Sequence, residues 1–404
     1  MIIRARAVVT MDGKPIANGA IVIQGNRITD VGPWPEVRAR HTGAAVDLGE
    51  RALLPGLINA HCHLDYTLLR GAIPPQTSFT SWIEAINARK AALGPADYVR
   101  SIKAGFAEAA ALGTTTIANL GAFPELVAQV GDAPVRTWWF AEMIDVRAPV
   151  AVAEVLGKLE KTVRGPGGVG LAPHAPFTAS RKLYSETAAL AARLNLPVTT
   201  HLAESAEEMA MFRDGSGRLF DFLKGIGRPM GDCGGATPFG LLMKSGLLET
   251  RWIVAHLNEL AADDLELLAR APRFHIVHCP RSHAYFGHTP FAFRKLRALG
   301  FNICLGTDSL ASNRDLSLFA EMRQLWKTEP SLRAHELLEM VTVNAGAALG
   351  QVGTLGQLRP GALADLMALP FAGAMEEVSD EIVSFAGQRP WLMVNGDRVA
   401  HAHE

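Results

Sequence analysis

Pro55-Gly-Leu-Ile-Asn-Ala-His-Cys-His-Leu-Asp65 overlaps the apolar run Ala52 to Ile58 and sets two histidines, His61 and His63, two residues apart. In a strand, residues i and i+2 point to the same face, about 7 Å apart. Two imidazoles so placed can converge on one metal ion, each about 2 Å from it. An isolated His-x-His can equally be one packed ring and one solvated ring, so the rest of the chain must decide.

At 404 residues the chain can hold two or three ordinary domains, or one large α/β barrel with additions. A hydrophobic content of 49% with 20% charged residues fits a globular protein with a sizeable core. The net charge of −1 gives no electrostatic footprint for nucleic acid or an anionic membrane, so a small-molecule substrate is the expected partner. Cys62, Cys233, Cys279 and Cys304 are widely spaced and form no Cys-x-x-Cys pair, which suits buried thiols in a reducing cytoplasm. Met1 to Thr10 lacks the apolar core and cleavage site of a signal peptide. No apolar segment reaches the length of about 18 residues that a membrane span needs. Self-association as a homodimer is expected.

The ends of the chain read as short strands. Ile2 to Val9, Gly19 to Gln24 and Arg27 to Val31 carry β-type patterns, with turns at Asp12-Gly13 and Gly25-Asn26. Leu358 to Leu369 reads as turn then strand, and Trp391 to Val399 as two strands across Asn-Gly-Asp. Residues 1–54 and 355–404 are therefore expected to pair into one small β-sandwich.

The middle, 55–354, has another rhythm. Short apolar runs alternate with helical patterns, which argues βα units and a parallel sheet. Beyond the opening strand, the candidates are Thr114 to Asn119, Arg136 to Glu142, Val169 to His174, Pro197 to His201, Trp252 to His256, Phe274 to His278 and Asn302 to Asp308. Helical stretches include Ala96 to Leu112, Ser180 to Leu194, Ala262 to Arg270 and Pro290 to Leu299. Eight strands is the number that closes a (β/α)8 barrel, so the fold class is α/β, a TIM barrel carrying a β-sandwich. The Gly-rich interruption from Ser205 to Thr250 reads as an insertion or lid over the barrel mouth.

Strand after strand ends in a residue that can bind metal or move protons: His61 and His63, then His174, His201, His256, His278 and Asp308. In a parallel barrel all these tips share one face, where active sites are built. His61, His63, His201 and Asp308 supply three imidazoles and a carboxylate, leaving room for a water. An ion there would lower the pKa of that water towards 7. Asp308, in Gly306-Thr-Asp-Ser, could instead be a turn or cap residue. Cys62 points to the opposite face and is assigned to packing. Glu204, three residues past His201, is placed to shuttle a proton. His256 could orient the attacking water, or be a core histidine. His174, bracketed by prolines, suits a substrate contact. His278, Arg281, Ser282 and His283 are as readily structural.

At this point PGLINAHCHLDYTLLRG, APHAPFTAS, THLAESAEE, VAHLNEL, HCPRSHAYFG and LGTDSLASN together resemble the amidohydrolase superfamily, in its chlorohydrolase and nucleobase-deaminase branch. The motifs run from the first strand to the eighth, so the resemblance covers essentially the whole chain. It implies a single Zn²⁺, or Fe²⁺ as in some members, held by His61, His63, His201 and Asp308. Binuclear members carry a carboxylated lysine on the fourth strand. Gly168 to His174 contains none, which favours one metal. The resemblance further implies Glu204 as proton shuttle, His256 with Asp308 as activators of water, and His174, Trp82 and Ser309 among the substrate contacts. The implied reaction is hydrolytic deamination of an aminated heteroaromatic ring: hydroxide attacks the carbon bearing the amine, the ring nitrogen is protonated through Glu204, and ammonia leaves.

For the substrate, relatives acting on S-adenosylhomocysteine usually carry a ribose-binding acid several positions after the tryptophan that here is Trp82. Ser81 to Leu93 has no acid there, only Glu84 closer in. The Trp82 to Lys90 stretch, APHAPFTAS, the Glu-Met-Ala-Met-Phe-Arg-Asp-Gly insertion and HCPRSH are more similar to 6-aminodeoxyfutalosine deaminases of the futalosine route to menaquinone. The benzoate of that substrate would then meet an arginine such as Arg89, Arg213 or Arg281. Alternatives on the same metal are adenosine-type or S-adenosylhomocysteine deamination, triazine chloro- or aminohydrolysis, or amide opening. A non-catalytic relative would have lost ligands, whereas His61, His63, His201, Glu204 and Asp308 are all present.

Overall fold

The computed structural model describes residues 1–399 and contains two sheets. The larger has eight full strands paired in parallel in chain order: Leu57–His63, Thr114–Gly121, Arg136–Met143, Gly167–Pro173, Val198–Leu202, Trp252–His256, His275–His278 and Asn302–Leu305. A ninth, two-residue strand, Asp308–Ser309, pairs in parallel with Cys62–His63 of the first, so the sheet curls round on itself. The expected strand Asn302 to Asp308 is therefore split. Between its halves Gly306 N–H donates to the His278 carbonyl and Thr307 N–H to that of His61, stepping the chain across to the first strand. A Cβ on Gly306 would lie 2.7 Å from the His61 carbonyl oxygen, so only glycine passes there.

Side chains alternate across this sheet as the two-residue strand period requires. Ile58, Ala60, Ala118, Trp138, Phe140, Ile253 and Val277 form a buried cluster on the concave side. Leu57, Ile117, Trp139, Leu171, Val254 and Ile276 meet the helices on the other. Burial on both faces explains why these strands read as apolar runs.

Three of the four quoted helices appear nearly as expected, at Pro95–Ala111, Arg181–Leu194 and Ala262–Arg270, with Ser180 capping the second through a hydrogen bond from Leu183 N–H. The fourth shrinks to Phe293–Ala298. A further helix, Phe79–Lys90, lies between the first and second strands, capped by Ser78. The interruption after Ser205 is itself helical, at Ala206–Asp214, Arg218–Gly225 and Pro238–Lys244. No helix among the described residues is long and apolar enough to cross a membrane.

The termini do pair with each other, in one continuous hydrogen-bonded sheet. Its order is Asp397–Arg398, Trp391–Val394, Leu366–Pro370, Arg51–Pro55, Ile2–Val8, Ile16–Gln24 and Arg27–Pro33, mostly antiparallel, with Ala45–Asp47 added beside Ile2–Val8. The reason lies in Arg51–Pro55. Its Leu53 packs with Ile3, Ile21 and Leu366 on one face, while Ala52 and Leu54 face the main core. The strand is buried and pairs with Ile2–Val8 on one edge and Leu366–Pro370 on the other, which makes the sheet continuous. The two sheets are tied by Arg136, which holds Asp365 with Nε at 2.6 Å and Nη2 at 3.1 Å in a buried pair.

Candidate active site

His61 and His63 share a face only because the first strand is irregular. Ile58 and Ala60 point to the concave side, so regular alternation would send His61 and His63 to the opposite face. The pairing with the second strand shifts register between Asn59 and Cys62, which re-aims the tip. Both histidines then turn inward, and Cys62 packs outward with Sγ 3.6 Å from the Ala118 carbonyl. Other tips are bent too: Ala203, His256, Leu257 and Asp308 all have positive φ, between 51° and 74°. Such non-glycine backbone costs on the order of 1–3 kcal/mol per residue and persists where surrounding structure enforces it. Here Leu257 and Asn258 N–H donate to the carbonyls of Leu202 and Ala203, both at 2.9 Å.

The bent tips converge. His63 Nε2 lies 3.1 Å from His201 Nε2, and Asp308 Oδ1 lies 3.9 Å from Nε2 of both His61 and His63. His201 Nδ1 donates to the His174 carbonyl at 2.8 Å, which leaves its Nε2 with a lone pair facing the cluster. Both ring nitrogens of His61 are buried without a partner. Burial lowers the His61 pKa to about 3 and holds His63 and His256 well below the ordinary histidine value. Neutral imidazoles with unused lone pairs, beside a carboxylate, are the donor set a divalent ion takes, so these residues fit a metal.

The proton-handling groups stand alongside. Glu204 Oε1 is 3.7 Å from His256 Nε2, and burial, reinforced by Asp308 and Glu208, pushes its carboxyl well above the usual range. Burial would raise Asp308 as well, but His256, His61 and the Ser282 hydroxyl at 2.6 Å together hold it below its ordinary value. The Ser309 N–H donates to Asp308 Oδ1 at 2.7 Å. The two carboxyls are thus shifted in opposite directions, which favours the protonated form of Glu204 and the ionised form of Asp308.

These groups form the floor of a cavity of about 760 Å³. Its walls are largely apolar and aromatic, including Phe79, Trp82, Ile86, Phe177 and Phe222. His174, Trp82 and Ser309 line it as expected. The arginines do not. Arg89 is exposed one position before the lining residue Lys90, and Arg213 pairs with Asp214 on the surface. Arg281 is held by Asp315 at 2.6 Å, so its charge is already spent in the framework. His278 also stands off the cavity, stacked on Phe291 with centroids 4.0 Å apart. The cations that do line the wall are Lys90 and Arg147, neither with an ion-pair partner among the described residues. Glu142 lines it too, at the tip of the third strand. The signal for Glu142 was the same strand-tip position that marked the histidines.

A model of the amidohydrolase family matches residues 52–395. The chain belongs to the amidohydrolase family. Residues 19–44 of this amidohydrolase also match an imidazolonepropionase-like composite domain of bacteria. It is 30% identical over 382 residues to a 5-methylthioadenosine/S-adenosylhomocysteine deaminase of Pyrococcus furiosus, covering 91% of this chain and 85% of that one. Among solved structures, an adenosine deaminase from Xanthomonas campestris with bound zinc superposes with a TM-score of 0.81 at 25% identity, covering 98% and 92% of the two chains. The Helicobacter pylori aminofutalosine deaminase superposes with a TM-score of 0.86 at 19% identity, covering 99% of this chain and 99% of that one, a likeness of fold. The family is metal-dependent, in keeping with the donor set above.

Proposed function

We infer that this amidohydrolase is a hydrolytic deaminase of adenine-type nucleosides. One divalent ion, zinc or else Fe²⁺, would be held by His61, His63, His201 and Asp308. The carrying observation is the orphaned imidazole cluster beside Glu204 and Asp308, at the floor of a cavity with aromatic walls suited to a purine. A bound ion supplies acidification of water, bringing its pKa to about 7.

The chain's own groups do the rest. Glu204 gives its proton to the ring nitrogen beside the carbon bearing the amine. Asp308, with His256, orients the attacking water and takes a proton from it as the new C–O bond forms. Asp308 then returns that proton to the amine, the C–N bond breaks, and ammonia leaves. The added hydroxyl gives its proton to Glu204, which restores the starting state and leaves a carbonyl beside a ring N–H. The apolar walls exclude bulk water during these transfers.

Lys90 and Arg147 favour a nucleoside bearing a carboxylate, which S-adenosylhomocysteine and 6-aminodeoxyfutalosine both carry. The deaminase name of the Pyrococcus relative supports the first. The missing acid after Trp82 supports the second. Residues 55–354 would form the hydrolase domain on a closed (β/α)8 barrel, with 205–250 as its lid. The test is ammonia release by zinc-loaded protein from adenosine, S-adenosylhomocysteine, 6-aminodeoxyfutalosine, aminopyrimidines and triazines. Release from the adenine nucleosides alone is expected. Chloride or alkylamine from a triazine, with no ammonia from any adenine, would refute the reading.

A further inference from the structure

Three carboxylates line the cavity: Glu142, Glu204 and Asp308. Two already have roles: Glu204 as the proton carrier beside His256, and Asp308, which accepts from Ser282, Ser312 and the Ser309 N–H. Glu142 has none. Its side chain is only 6% exposed, yet Oε1 is buried with no hydrogen-bond partner. A buried acceptor left unpaired is costly, a charged one more so, and such an atom in a cavity wall marks a place for a ligand's donor.

Its surroundings narrow what that donor is. The nearest titratable partner atom, His63 Nδ1, is 3.8 Å away, too long for a hydrogen bond. Ligand atoms of His174 and His201 lie within 4.8 Å, in a cluster separate from Glu204, His256 and Asp308. Glu142 therefore borders the bound molecule on the His174 side, away from the proton-transfer pair. A cationic donor is disfavoured, because the Lys90 ammonium shares that wall. A carboxylate offers two acceptor oxygens, the complement of two neutral O–H donors.

The geometry points to Glu142 as a specificity-determining residue that accepts hydrogen bonds from the sugar hydroxyls of the nucleoside. The assignment rests on the deaminase reading and is tested with adenosine against 2′,3′-dideoxyadenosine, which lacks both hydroxyls. Zinc-loaded wild type should favour adenosine by on the order of ten- to a hundredfold in kcat/KM, the scale of hydrogen bonds to a charged group. Glu142→Gln should lose about tenfold on adenosine, carried by KM, and change by less than about twofold on the dideoxy compound. Its zinc content should match wild type.

Equal losses on both substrates, with reduced zinc, would show that Glu142 acts through His63 and overturn the assignment. A wild type that deaminates both nucleosides equally well would overturn it without any variant. A wild type that deaminates neither, while other substrates turn over, overturns the deaminase reading and the assignment with it.

Discussion

Replacing Glu204 by Gln changes one proton and almost nothing else. The side chain keeps its shape, and the contacts that fix the residue are made by its backbone. Its N–H donates to Glu208 Oε2 at 2.7 Å, and its carbonyl accepts from Asn258 Nδ2 at 3.0 Å. Neither depends on the carboxyl. What disappears is the transferable proton, in a site where the neighbouring carboxyl, Asp308, is held below its ordinary pKa by His256, His61 and Ser282. General acid–base steps contribute about 10²–10⁴ in rate, or roughly 3–5.5 kcal/mol of barrier. The other carboxyls of the cavity are Asp308, shifted the opposite way, and Glu142, beside His63 rather than His256, so the variant should lose about 10³-fold or more in kcat. KM should stay within a few-fold, since the cavity keeps its volume and walls. The assay is steady-state ammonia release from an adenine nucleoside, with metal content and thermal melting confirming an intact protein. A variant with its metal and fold intact that retains activity within about threefold of wild type would falsify the shuttle role.

Other outcomes follow from separate parts of the molecule. Elemental analysis of zinc-loaded protein should find one ion per chain, and chelation should abolish ammonia release and lower the melting temperature; two ions per chain would contradict a single ion held by His61, His63, His201 and Asp308. Asp365→Ala strands the Arg136 guanidinium, whose side chain is 6% exposed, between the two sheets, and should cost about 3–5 kcal/mol in denaturant unfolding. A loss under about 1 kcal/mol would show that the clamp is not needed. Burial would raise Glu336, but the Arg333 N–H and the Arg297 and Arg333 guanidiniums hold it at about 2, against an ordinary 4.5. Its stabilisation is therefore present above pH 4.5 and fades as pH falls towards 2. Glu336→Gln should flatten the acid dependence of the unfolding midpoint across that window, and an unchanged slope would count against the depressed value.

Much of the site was legible because each polar tip follows an apolar strand, a pattern that depends on local spacing alone. His61, His63, His201, His256 and Asp308 were found that way. Glu142 carries the same signal, ending the run Trp139-Phe-Ala-Glu, but acids at strand ends are common in turns and it was passed over. Arg89 lies off the cavity because phase on a helix is a tertiary matter. Residues 89 and 90 differ by about 100° around the Phe79–Lys90 helix, and packing turns Lys90 with Ile83 and Ile86 to the cavity. Arg281 was misplaced because its partner Asp315 lies 34 residues away, beyond any local pattern. The register shift that aims His61 and His63 inward is likewise a property of the pairing with Thr114–Gly121, invisible in the first strand alone.

The central claim is that water replaces an amine on an adenine ring. Zinc-loaded protein should be incubated with adenosine and, separately, with S-adenosylhomocysteine and 6-aminodeoxyfutalosine, in water enriched with heavy oxygen. The nucleoside product and the ammonia are then measured together. The account predicts one ammonia per product, with a heavy oxygen atom on the ring carbon that bore the amine, for at least one of the three. Products that carry no solvent oxygen, or no ammonia from any of them, would contradict it.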